Sequence, residues 1–170
     1  PDNPFYIGSI KTLAFFQIET GQISSADSLI RTVESYWNLK LGKENAYTPE
    51  IEILKGDLLR KQNKFDQALD RYSVALNLYR KTFSSKHPDY IRTQSKIART
   101  YFARGDYKNT LSTLNNTTQG YYDFISKYFP ILSFGEKSKY WESIKGDFEF
   151  FNTVAMKMKD QNPDLIGQLY

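Results

Sequence analysis

The chain has 170 residues, enough to bury one sizeable core or a short stack of repeats without disulfides or metals. It contains no cysteine and a single histidine, His87, which excludes a disulfide framework, a thiol nucleophile, thiolate metal sites and multi-histidine clusters. The net charge of +4 is spread thinly, with Lys and Arg mixed among Asp and Glu, a pattern of solvated helix faces and not of a nucleic-acid footprint. No run of about 18 apolar residues exists, so no membrane span is expected. Pro1–Phe5 carries no basic and apolar export segment, and the lack of cysteine fits a reducing, cytoplasmic compartment.

From its start the chain reads as three helical hairpins, about residues 1–47, 48–89 and 90–132. In the first, Ala14 lies on one helix, Gly21 at the turn, and Ile23, Ala26, Ile30, Val33, Trp37 and Leu41 on the other. The second repeats the columns 42 residues later as Gly56, Asn63, Phe65, Ala68, Tyr72, Ala75, Tyr79 and Phe83. The third gives Ala98, Gly105, Tyr107, Thr110, Leu114, Thr117, Tyr121 and Ile125. Gly21, Asn63 and Gly105 are residue types that tolerate a left-handed C-cap. Thr48 is expected to cap the first helix of the second hairpin, with Pro49 in its first turn, and Pro88 follows His87 in the same role. The second-helix stripe Phe65, Ala68, Leu69, Tyr72, Ala75, Leu76, Tyr79 has i, i+3, i+4, i+7 spacing. One hairpin cannot bury both of its apolar faces, so neighbours must stack.

These columns of small residue, aromatic and Ala-x3-aromatic resemble the tetratricopeptide repeat. The 42-residue period, with the added length in the second helix and closure on Phe83 and His87-Pro88, is similar to the kinesin-light-chain subtype. The resemblance implies an all-α fold, a right-handed α-solenoid of about seven or eight antiparallel helices with a C-terminal capping helix. It also implies that the first helix of each hairpin lines a concave groove for a protein or peptide partner. Transferred residue by residue, that groove would comprise Lys11, Phe15 and Ile18, then Ile53, Asp57 and Arg60, then Arg92, Ser95, Arg99 and Phe102. A carboxylate clamp for chaperone tails needs an Asn where Phe15 stands, so that partner is not expected. His87 is read as a turn residue. No carboxylate pair accompanies a nucleophile, a Gly-rich phosphate loop or a ligand cluster, so no catalytic residue, metal or cofactor is expected.

Residues 133–170 depart from the columns and are read as a helical cap or linker toward a downstream domain. Ser133-x-x-Glu136 is a capping box, followed by an apolar stripe of Trp141, Ile144, Phe148, Phe151, Ala155 and Met158. Phe129-Pro130-x-Leu132-Ser133, Glu136-Lys137, Tyr140-Trp141 and the aromatics Phe148–Phe151 are similar to the segment joining tetratricopeptide arrays to a C-terminal CHAT domain, a caspase-like peptidase fold in bacterial proteins. That resemblance implies a non-catalytic array that recruits for, or regulates, such a peptidase. The alternative is a sensory array in front of a bacterial histidine kinase or DNA-binding output. Phe150, off the stripe, and Tyr140 are expected to be partly exposed for contact with the downstream domain. The chain edges suggest excision from a longer array: Asn3–Ile7 matches His87–Ile91 two periods on, and a further helix is expected from Asn162 through Tyr170.

Overall fold

The computed structural model describes residues 4–159, in which seven α-helices and one 3-10 turn account for the regular structure. The helices are α1 (Pro4–Glu19), α2 (Ile23–Leu41), α3 (Thr48–Lys61), α4 (Phe65–Thr82), α5 (Pro88–Arg104), α6 (Tyr107–Tyr128) and α7 (Phe134–Met158). The 3-10 turn, Phe129–Ile131, lies between α6 and α7. The helix expected from Asn162 falls outside the described residues. Among those residues no helix is long and apolar enough to cross a membrane.

The three second helices begin at Ile23, Phe65 and Tyr107, so the 42-residue sequence period is kept in the helix starts. The turn before each has one geometry. Gly21, Asn63 and Gly105 hold φ of 79°, 59° and 82°, the left-handed region that glycine enters freely and asparagine tolerates. The next N–H then reaches back five residues, from Gln22 to the Gln17 carbonyl, Lys64 to Leu59 and Asp106 to Tyr101, at 2.8–2.9 Å. This bond satisfies a carbonyl that the ending helix leaves open and reverses the chain within three residues.

Helix capping follows chemistry that the pattern shows only in part. His87 caps α5, its Nδ1 accepting from the Asp89 N–H at 3.2 Å, and Ser133 with Glu136 forms a complete capping box on α7. Thr48, expected to cap α3, lies instead within its first turn. Its hydroxyl accepts from the Asn45 N–H and donates to the Lys43 carbonyl, tying down the preceding loop.

The described residues fall into two compact units divided between Ser84 and Ser85. In the first, α1 and α2 form one hairpin, α3 packs on both, and α4 pairs with α3. Its core joins Ile7, Ile10, Ala14 and Ile18 of α1, Ala26, Ile30 and Val33 of α2, and Ile51, Leu54 and Leu58 of α3. A Cβ on Gly56 would sit 2.5 Å from the Tyr72 ring, so α3 and α4 touch at that point with no room for a side chain. Charges bind the same elements at their rim: Lys55 of α3 donates to Glu34 of α2 at 2.7 Å and to Glu52 at 3.0 Å, and Glu52 also takes Arg71 of α4. Burial works against the Lys55 ammonium, but its bonds to Glu34 and Glu52 outweigh that and hold its pKa above the ordinary value.

In the second unit α5 and α6 pair, and α7 packs back on them. The α7 side of this core comprises Ile144, Phe150, Phe151, Val154, Ala155 and Met158, all buried. Each fully buried side chain of this size contributes about 1.5–3 kcal/mol, against about 1 kcal/mol for a helix cap. The apolar face therefore decides where α7 lies, and the capping box only decides where it begins.

Gly56→Ala should destabilise the protein by about 1–3 kcal/mol, because the Tyr72 ring is itself buried and has nowhere to retreat. Gly8→Ala, at a helical position where a Cβ meets nothing within 4 Å, should instead stabilise it by about 0.5–1 kcal/mol. Urea denaturation midpoints of the two variants should move in opposite directions.

Candidate functional site

The residues expected to line a groove fall into distinct environments. In the first unit Lys11 forms an ion pair with Glu50 and Phe15 is 45% exposed, while Ile53 and Arg60 are half-buried. Two residues do not reach a partner surface. Ile18 is fully buried in the hairpin core, and Asp57 is buried while accepting a 2.7 Å hydrogen bond from the Tyr72 hydroxyl. Burial, reinforced by the charge of Asp57, keeps the Tyr72 pKa well above its ordinary value, so this pair is a structural bond between α3 and α4.

In the second unit three of the four expected groove positions, Ser95, Arg99 and Phe102, lie beneath the chain's own α7. Ser95, fully buried, donates to Asp147 Oδ1 at 2.6 Å. Arg99 donates to the same oxygen at 3.1 Å and to the Gly146 carbonyl, with its guanidinium 4.4 Å above the Phe150 ring. Phe102 meets Phe150 edge-on at 5.5 Å. Arg92, nearer the start of α5, pairs with Asp89. Ser95, Arg99 and Phe102 thus anchor α7, and a register read from sequence identifies the helix face without showing what covers it.

Asp147 is the residue that sequence reasoning missed. It lies within the aromatic stretch of α7 and takes Ser95 and Arg99 from α5 and the Tyr121 hydroxyl from α6. An amphipathic template turns an aspartate outward; Ile144, Phe151, Ala155 and Met158 of the expected stripe are buried as expected, and the face is only displaced at its edges. The buried side of α7 is rotated toward Phe150 and Val154 and away from Trp141. Phe150, expected to be partly exposed, is 8% exposed, whereas Trp141, expected in the core stripe, is 47% exposed. Tyr140 is half-buried, stacks on Phe124 at 4.5 Å and lies edge-on to Phe129. As expected for a cap, α7 packs on the core of α5 and α6, with Asp147 and Phe148 against Tyr121.

Residues 47–118 match the tetratricopeptide repeat family. A search of curated proteins finds no match. Solved structures that align with the chain include the crystallised TPR-like repeats of a Podosopora anserina protein assigned as a kinesin light chain. That alignment has a TM-score of 0.59 at 16% identity and covers 98% of this chain and 83% of that one. A single-substitution variant of the same protein aligns with a TM-score of 0.57 at 16% identity, covering 96% and 81%. The fold is tetratricopeptide-like. Tetratricopeptide repeats in general mediate protein–protein interaction.

The anchor on α7 is open to two measurements. Asp147→Ala should destabilise the protein by about 2–4 kcal/mol, since Ser95, Tyr121 and Arg99 lose their shared acceptor. Glu149→Ala, on the exposed side of the same helix, should stay within about 0.5 kcal/mol in the same urea titration. The second measurement concerns alkaline pH. Burial and then the charge of Asp147 hold the Tyr121 pKa far above the ordinary value, and burial pushes Tyr140 up to about 12 against the opposing pull of Arg92. An unfolded tyrosine ionises near pH ~10, so as pH rises the unfolded chain releases these protons first. The contribution of these tyrosines should be level below pH ~10 and fall above it, with the Tyr140 share lost between about pH 10 and 12. Tyr140→Phe should make the fall across that interval shallower, while Tyr121, Tyr72 and Lys55 still contribute. It should not lower stability at pH 7, because the Tyr140 hydroxyl has no hydrogen-bond partner among the described residues.

Proposed function

We propose that the chain is a non-catalytic protein-binding scaffold that takes a peptide or protein segment on the α1 and α3 face of its first unit. The observation that carries this reading is a comparison within the molecule. In the second unit the face of α5 bearing Ser95, Arg99 and Phe102 is occupied by a segment of the chain itself, through one carboxylate and one aromatic ring. The 42-residue register places Ile53, Asp57 and Arg60 of α3 at the matching positions. On α1 it places Lys11, Phe15 and Ile18 there. Among these, Phe15 and Lys11 remain substantially exposed and bring one aromatic and one cationic group to the surface. Such a mixed surface suits an extended segment with apolar anchors.

The finer reading is that this scaffold is the recruiting or regulatory array of a CHAT-type cysteine peptidase, the chemistry lying in a domain outside these residues. It rests on the resemblance of Phe129–Trp141 and Phe148–Phe151 to the segment that precedes such domains. With Phe150 inside the second unit, the proposed contact with a downstream domain moves to Ile131, Phe134 and Trp141. These are 80%, 87% and 47% exposed.

Phe15→Glu should reduce recovery of protein partners at least tenfold in a pull-down from the source organism, with the circular dichroism spectrum unchanged. Equal recovery would remove this face as the binding surface. For the finer reading, the parent gene should encode a His and a Cys in a caspase-like domain after Tyr170. A phosphoacceptor-His helix or a helix-turn-helix there would overturn it.

A further inference from the structure

The first unit contains a cleft where the start of α1, the end of α2 and the start of α3 meet. Its volume is about 210 Å³, and its walls include Phe5, Trp37 and Tyr47, with Gly8 on one side and the Lys11–Glu50 ion pair at hand. Cavities that hold whole metabolites run from roughly 300 to 1,000 Å³, so this one is too small for such a ligand and of a size for a single side chain. Trp37 and Tyr47 are stacked on each other at 3.7 Å with an interplanar angle of 11°, which fixes one wall as a rigid aromatic slab. Gly8, also lining the cleft, leaves its own side open, since a Cβ there would meet nothing within 4 Å.

We propose that this cleft is the anchor pocket of the binding face, taking one aromatic side chain of an extended partner peptide. The proposal rests on the scaffold reading above and specifies what that surface recognises. Ring-lined walls offer a guest ring offset-stacked and edge-on contacts, which add about 0.5–1.5 kcal/mol per aromatic pair beyond simple burial. The ion pair favours a peptide over a plain apolar ligand. The Lys11 ammonium can donate to a backbone carbonyl and the Glu50 carboxylate can accept from a backbone N–H, one of each polar group of the main chain. Because Lys11 neutralises Glu50, the cleft has no net charge to draw a cation, and that sets an aromatic guest above an arginine or lysine. Carrying Lys11 at both places, the cleft is continuous with the face bearing Phe15.

The test is selection of a phage-displayed random heptapeptide library on the intact 170-residue protein. It is followed by titration of selected, tryptophan-free peptides into a Trp141→Phe variant. Trp37 is then the sole tryptophan, and its emission reports on the cleft. Selected peptides should share one position held by Phe or Tyr and should shift the Trp37 emission. Gly8→Leu, which fills the open side without steric conflict at its Cβ, should weaken them at least tenfold while leaving the melting temperature undiminished. Peptides that bind Gly8→Leu as tightly as wild type, or that share Arg or Lys in place of a ring, would overturn the anchor pocket. The scaffold reading would survive that result if the same peptides are lost in the Phe15→Glu variant. Selection of no peptide at all would overturn both.

Discussion

The left-handed residue at the end of each hairpin's first helix is the constraint from which the remaining geometry follows. At Gly21, Asn63 and Gly105 the backbone takes a positive φ, and the N–H one residue later bonds to a carbonyl five residues back. A side chain with a branched Cβ would make that conformation unfavourable by about 1–2 kcal/mol and would let the helix run on. Because the chain reverses at a fixed place, the small residues Ala14, Gly56 and Ala98 come to lie against the helix that returns. At Gly56 the approach leaves no space for even one carbon beside Tyr72. The apolar plugs Ile23, Phe65 and Tyr107 then start each second helix at the same height. Local backbone geometry thus sets the register on which the cores are built.

A second constraint acts in the C-terminal unit. Asp147 places a carboxylate in a largely apolar interface, a position that is unfavourable unless its oxygens are satisfied. Ser95, Arg99 and Tyr121 satisfy them from two different helices, so the carboxylate is tolerated only when α7 lies at one rotation and one height. Apolar contacts alone would accept several neighbouring rotations of a helix this rich in aromatics. The polar group selects among them, which is how Phe150 enters the core while Trp141 leaves it. The same bonds occupy the α5 positions that would otherwise serve a partner. The two units therefore present different surfaces even though their hairpins share a register.

Much of the fold is legible in the sequence alone. The 42-residue columns specify the hairpins and their turn residues, and the Ser133-x-x-Glu136 spacing specifies the cap of α7, because each depends on residues close in the chain. Thr48 marks where this ends: its hydroxyl serves the loop before α3 instead of the helix, since Asn45 and Lys43 compete for it. The candidate site is legible in part. Lys11, Phe15, Ile53 and Arg60 can be named from the register, but Ile18 and Asp57 are buried, and Ser95, Arg99 and Phe102 lie under α7. Nothing in a helical period says which of its outward faces will be covered by a segment about fifty residues away.

The sequence by itself determined the helices, their reversals and the absence of thiol and multi-histidine chemistry. These follow from backbone conformational preference, apolar spacing and composition, which act locally or not at all. Only the tertiary structure decided which polar groups are shared between helices, that Phe150 and not Trp141 joins the inward face of α7, and where the aromatic cleft of Phe5, Trp37 and Tyr47 opens. Those features depend on the mutual satisfaction of groups far apart in the chain. A buried carboxylate or a stacked ring pair has no signature until its partners are in place.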